Sequence, residues 1–132
     1  MTIDRMNPEG LSKPTGYSHV AVVSAGRQVH ISGQVAFDAS GAVVGKGDIG
    51  AQAEQVYANL AKALAAAGAD FSKVFKMNTY VVGLKPEMLP PIRAARAKHF
   101  GDGPYPASTL VGVTALVHPD LLIEVEVSAL LD

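Results

Sequence analysis

Apolar residues dominate two short runs near the start of the chain, His19 to Ser24 and Gln28 to Gly33. Ala25, Gly26 and Arg27 lie between them, a spacing that predicts a β-hairpin on a short glycine-containing loop. Val35 to Val44 carries turn chemistry at Asp38 to Gly41 and predicts a second, smaller hairpin. From Ile49 the period changes. Ala53, Val56, Leu60, Leu64 and Ala67 recur every three or four residues, with Gln52, Gln55, Asn59 and Lys62 off that stripe, which is the pattern of an amphipathic helix. Asp48 is placed to cap its start and Gly68 to end it. Val74 to Val82 is rich in β-branched and aromatic residues and reads as a strand closed by Gly83. A second helix is expected from about Met88 to Pro91, because proline fits a first helical turn, and it should end near Phe100. After the loop Gly101 to Pro106, strands are predicted over Ala107 to Ala115 and Leu121 to Leu130. In the last of these Glu124, Glu126 and Ser128 share one face, while Ile123, Val125, Val127 and Ala129 share the other.

The order is strand, strand, helix, strand, helix, strand, strand. It predicts an α+β fold: a mixed sheet of about six strands with two helices that cover only one face. With 17% charged residues, the second face is not expected to be coated with charge. Burial against copies of the same chain is the economical solution, so a homo-oligomer is expected.

Composition narrows the chemistry. The 132 residues suit one domain spanning 1–132, with a core large enough to stand without disulfide or metal support. No cysteine is present, so disulfides, thiolate-held zinc, iron–sulfur clusters and a cysteine nucleophile are excluded. The net charge of −1 gives no field to gather nucleic acid or anionic lipid. The first ten residues do not resemble a signal peptide, and no run approaches the ~20 apolar residues of a membrane span. A cytoplasmic location without membrane attachment is the expectation.

The four histidines, His19, His30, His99 and His118, form no helical pair at ligand spacing. In the expected first hairpin His30 faces Val22, which leaves His19 on the other side of the ribbon, so no bound metal is predicted. Gly41 to Gly50 lacks the Lys-Ser/Thr of a phosphate-binding loop, and Ser32 lacks the surroundings of a nucleophile elbow. What remains is the pair Glu124 and Glu126. A carboxylate desolvated in an apolar cleft holds its proton more tightly and can pass protons to and from a bound water, which suffices for imine hydrolysis or keto–enol chemistry. The same alternation also fits a solvated or ion-paired surface strand.

Several segments together resemble the reactive-intermediate deaminase family, also called Rid or YjgF-like, whose fold is similar to that of chorismate mutase. They are Gly16 to His19, Ile31 to Gln34, Ala51-Gln52 through Asn59-Leu60 with Ala66 to Gly68, Val74 to Val81, Tyr105 to Ala107, and Ile123 to Glu126. They keep the family's order from about Tyr17 to Ala129. The resemblance implies a homotrimer with three clefts between subunits that bind small carboxylate- or carbonyl-bearing metabolites, without a cofactor. In the family's active deaminases the cleft is lined by a tyrosine, a serine, a polar residue of the second helix, an arginine after Pro-Ala and a glutamate of the last strand. The matching positions here are Tyr17, Ser32, Arg93, Ser108 and Glu124, and Leu110 is expected to shape the cleft.

Ser108 departs from that pattern, since a hydroxyl cannot reproduce the bidentate clamp that an arginine makes on a carboxylate. Arg93 could carry the positive charge to another wall, or it could be an exposed helix charge packed by its stem. The resemblance implies hydrolysis of an imine or enamine to a carbonyl compound and ammonia, with Glu124 activating water and Tyr17 and Ser32 orienting a substrate other than the usual 2-imino acids. A trimeric metabolite-binding or chaperone-like protein without turnover is the alternative. Endoribonuclease activity, also attached to the family, ranks below both because no basic stripe accompanies the aromatic residues.

Overall fold

The computed structural model describes residues 2–132. Six strands and two helices follow in the order β1 (Ile3–Met6), β2 (Val20–Val23), β3 (Arg27–Val35), α1 (Ile49–Ala66), β4 (Val74–Val82), α2 (Leu89–Phe100), β5 (Ala107–Val113) and β6 (Ile123–Leu131). The fold is α+β, with both helices packed on a mixed sheet. That sheet has the order β3-β6-β4-β5, antiparallel except where β4 meets β5, and β1 and β2 form a separate antiparallel pair.

The helices lie where the periodicity places them. The Asp48 carboxylate accepts the Ala51 amide at 3.0 Å, satisfying one of the donors orphaned at the start of α1. Ala53, Val56, Leu60 and Leu64 are fully buried against Val74, Val81, Ile123, Val125 and Ala129 of the sheet. From α2, Ile92, Ala95 and Phe100 close the same core. Gln52, which the apolar stripe leaves out, is also fully buried. Its amide nitrogen donates to the carbonyls of Gly45 (3.1 Å) and Asp120 (2.8 Å), and its oxygen accepts the Leu122 amide (2.8 Å). The cost of burying the amide is offset because every group finds a partner.

The expected hairpin between His19 and Gln34 does not form. Val20–Val23 pairs with Ile3–Met6, sealed by the Ser24 amide donating to Thr2 O (3.0 Å) and the Thr2 amide to Ser24 Oγ (2.7 Å). The nine-residue β3 instead pairs with the nine-residue β6, a ladder that satisfies far more backbone groups than four-residue β2 offers. His30 therefore faces Ser128, not Val22. The small sheet is tied to the large one by a bridge from Ser18 to Ala107 and by Arg5, whose Nη2 donates to Ser72 O and Val74 O. The smaller hairpin after Val35 shrinks to a single bridge, Phe37 to Val43, around the Asp38 turn.

The helix-free face of the sheet is more polar than its low overall charge suggests. Lys76, Asn78 and Tyr80 of β4 lie in register with Ser128, Glu126 and Glu124 of β6, and His30 completes the row.

Candidate functional site

A cavity of about 350 Å³ opens between α2, the middle of β4 and the start of β5. The parallel register sets Ser108 beside Met77 and Leu110 beside Thr79, so these four side chains share the face of the sheet that α2 covers. Tyr17 and Thr15 reach the same space from the segment before β2, because the Ser18 amide and hydroxyl hold that segment to Pro106 O (3.0 Å) and Tyr105 O (2.6 Å). Leu84, Leu89 and Ile92 form an apolar wall, and Tyr57 of α1 closes the inner end with its hydroxyl donating to Met77 Sδ at 3.6 Å. Burial pushes the Tyr57 phenol well above its ordinary range, although the Arg96 charge pulls the other way. The phenol is thus a neutral donor at any physiological pH.

Two guanidinium groups belong to this space. Arg93 is exposed on α2, whereas Arg96, one turn further on, is partly buried. The Arg96 guanidinium lies 5.8 Å from the centre of the Tyr105 ring and presses on Gly16, where a Cβ would overlap its Nη2. Among the described residues, the Arg96 Nε is buried without a hydrogen-bond partner, and the ion pairs present, Lys46 with Asp120 and Lys98 with Glu54, leave Arg96 out. In the sequence nothing distinguishes Arg96 from Arg93, the other arginine of this helix. The nearest signal is Gly16, whose positive φ of 77° and missing side chain both make room there.

Four of the residues singled out from sequence, Tyr17, Arg93, Ser108 and Leu110, line this one cavity. Ser32 and Glu124 do not. Ser32 is exposed in the bulge of β3 between Ile31 and Gln34, where its carbonyl accepts the Gln34 amide group at 3.0 Å. Glu124 faces away from the helices, in register with Tyr80, and its carboxylate lies over Gly33 so closely that a Cβ there would overlap Oε2, Cδ and Cγ. Glu126 is engaged otherwise: its Oε1 accepts from the Tyr80 hydroxyl at 2.6 Å and the Asn78 amide at 3.1 Å. That hydrogen bond, more than desolvation and the nearby carboxylates, raises the Tyr80 phenol above its ordinary value. No comparable partner holds the Glu124 carboxylate among the described residues.

The histidines have local partners. The His19 ring meets Ser12 O at 2.7 Å and the edge of Tyr17. His30 lies between Ser128 Oγ (2.8 Å) and Gln28 Oε1 (3.0 Å), His99 stacks on Tyr57 and lies tilted against Phe71, and His118 Nδ1 accepts the Asp120 amide. No helix is long and apolar enough to cross a membrane among the described residues.

Residues 10–131 match a family model described as Endoribonuclease L-PSP. The crystal structure of YyfB from Yersinia pestis, described as a protein of unknown function of the Rid family, superposes with a TM-score of 0.92 at 41% identity, over 99% of this chain and 100% of that one. The RutC family protein PH0854 of Pyrococcus horikoshii is 34% identical over 122 residues, 92% of each chain. Protein DfrA of Myxococcus xanthus is 35% identical over 100 residues, covering 76% of this chain and 74% of that protein. The fold, the ordered motifs and these matches converge: the chain belongs to the Rid, or YjgF-like, family.

Proposed function

We propose that this protein hydrolyses the imine or enamine form of a small carboxylate-bearing metabolite in clefts between copies of itself, arranged as a trimer. The observation that carries the reading is the cavity that gathers Tyr17, Arg93, Ser108 and Leu110. It offers an apolar lining with a few converging polar groups, the usual composition of a small-molecule site. The acid–base group is Glu124, which lies on the other face of its own sheet. A neighbouring copy therefore contributes it.

In the reaction the Glu124 carboxylate of that copy takes a proton from water as the oxygen bonds to the C=N carbon. The carboxylic acid so formed returns that proton to the nitrogen, giving a carbinolamine; the carboxylate then takes the hydroxyl proton as the carbonyl forms and the C–N bond breaks, and passes it to the leaving nitrogen, which departs as ammonia. Ser32, at the bulge beside Gly33, and Tyr17 orient the substrate. No cofactor takes part. The Ser108 hydroxyl in place of a clamping arginine points to a substrate other than 2-iminopropionate.

The test is ammonia and keto-acid release from 2-iminopropionate, 2-aminoacrylate and larger aliphatic and aromatic imino acids. Wild type is compared with Glu124→Ala and Ser108→Arg, and the mass in solution is measured alongside. The expected results are turnover that disappears in Glu124→Ala, a trimer mass, and higher activity on 2-iminopropionate in Ser108→Arg. A trimer that binds keto acids but turns over no imine would instead mark a metabolite-binding protein, and a monomer would remove the shared cleft.

A further inference from the structure

The cavity beside α2 contains a cation without a counter-charge, and its inner surface is mostly hydrocarbon. We infer that Arg96 is the anion-binding group of this cavity, and that the ligand is a 2-oxo or 2-imino carboxylate with a non-polar side chain of several carbons. This rests on the cavity being the binding cleft of the proposed function.

Three observations carry the inference. The Arg96 Nε is buried with no partner among the described residues, while two positions further on Lys98 pairs with Glu54 at 2.6 Å. Removing a guanidinium N–H from water is unfavourable unless an acceptor replaces the water; the Arg5 Nε is likewise unpartnered, but only that of Arg96 lies on a residue lining a cavity, where it marks a place for an incoming anion. The guanidinium is also fixed in place by the Tyr105 ring on one side and Gly16 on another. A planar donor fork held in this way loses little freedom when it engages a carboxylate. Finally, beyond Arg96 the cavity is walled by Tyr57, Met77, Leu84, Ile92 and Leu110, more apolar surface than the single methyl of pyruvate could cover. Ser108 leaves room next to Leu110 that a longer side chain on the same strand would occupy.

Arg93 has a different place. It is exposed, so its charge is solvated and contributes to attracting an anion more than to holding one.

The experiment measures binding of 4-methyl-2-oxopentanoate, phenylpyruvate and pyruvate by isothermal titration calorimetry. Wild type is compared with Arg96→Met, Arg96→Lys and Arg93→Ala, and circular dichroism and thermal melting verify the fold of each. Arg96→Met keeps the stem that packs on Tyr105 and removes only the charge. The expected result is a loss of roughly ten- to hundredfold in affinity for 4-methyl-2-oxopentanoate in Arg96→Met. Partial recovery is expected in Arg96→Lys, and a loss several times smaller than that of Arg96→Met in Arg93→Ala, whose charge lines the same cavity but is exposed. Pyruvate should bind at least tenfold more weakly than the longer acids, since each buried methylene is worth about fourfold.

Undiminished binding in a folded Arg96→Met, equal affinity for pyruvate, transfer of the main loss to Arg93→Ala, or no binding of any of the three acids would each overturn the inference. The measurement needs no turnover. Arg96-dependent binding without imine hydrolysis would refute the hydrolase reading and leave this inference standing, whereas hydrolysis with unchanged KM in Arg96→Met would do the reverse.

Discussion

Replacing Gln52 by leucine keeps nearly the same volume at a position with no exposure at all, and removes three hydrogen bonds at once. The cost follows from what is left behind. The Leu122 amide loses the acceptor that held it at 2.8 Å, and the Gly45 and Asp120 carbonyls lose a shared donor. A lost hydrogen bond is worth about 1 kcal/mol, and a buried group left without a partner costs about 1–3 kcal/mol. Allowing for some rearrangement of the half-buried Gly45 side of the loop, the sum is about 3–5 kcal/mol, a large share of the ~5–15 kcal/mol that holds a domain together. Urea unfolding should show it as a midpoint lower by ~2 M, taking a slope of ~2 kcal/mol per M, with the slope itself unchanged. Hydrogen exchange should locate the damage, with the Leu122 amide and the first residues of β6 losing protection before the rest of the sheet. A midpoint shift under ~0.5 M, which is less than ~1 kcal/mol, would refute the reasoning. The start of the strand that carries Glu124 would then be held by apolar packing alone.

Three further outcomes are expected. Asp48→Ala removes the cap of α1 and should cost ~1 kcal/mol. Calorimetry should record that cost as a melting temperature lower by about 3–5 °C. The Tyr80 phenol, raised by its hydrogen bond to Glu126, should ionise above its ordinary value of 10 in an alkaline absorbance titration, and return toward that value in Glu126→Gln. Because the folded value exceeds the unfolded one, the stabilisation from this bond is fully present below pH 10 and disappears as pH rises through the folded value. Gly33→Ala should change stability by less than ~1 kcal/mol, since the group it displaces is a side chain and not backbone, yet lower imine turnover at least tenfold by moving the Glu124 carboxylate. Full activity in that variant, measured by ammonia release, would show that the position of Glu124 over Gly33 has no bearing on the chemistry.

The elements whose amphipathic period is strong could be read directly. The stripe of α1, the run Val74–Val82, the proline start of α2 and the alternation of β6 all appear where periodicity and capping put them. The hairpin failed because local turn chemistry at Ala25 to Arg27 says nothing about competing partners, and β6, at the far end of the chain, offers a longer ladder than β2. Gln52 was misplaced for a related reason. Periodicity sorts residues by polarity, and a polar side chain whose every group meets backbone can be buried as deeply as leucine. In the site, Tyr17, Arg93, Ser108 and Leu110 come together although they are far apart in sequence, and the family motif, more than any spacing, marks them. Arg96 was missed because an arginine among alanines on a helix is the commonest kind of surface charge, and only the cavity beside it shows that it lacks a partner.

Gly16 and Gly33, both within motifs that carry the family resemblance, have a shared physical explanation. Each leaves out a side chain where a charged group lies against the backbone, Arg96 at the first and Glu124 at the second. The two charges are on opposite sides of the same sheet, the arginine under α2 and the carboxylate on the helix-free face. Side chains on the two faces of a strand pair are separated by the backbone itself, and no rotamer change carries Glu124 through it. A reaction that uses both groups on one ligand therefore joins two chains, one presenting the Arg96 cavity and another presenting Glu124 over its Gly33.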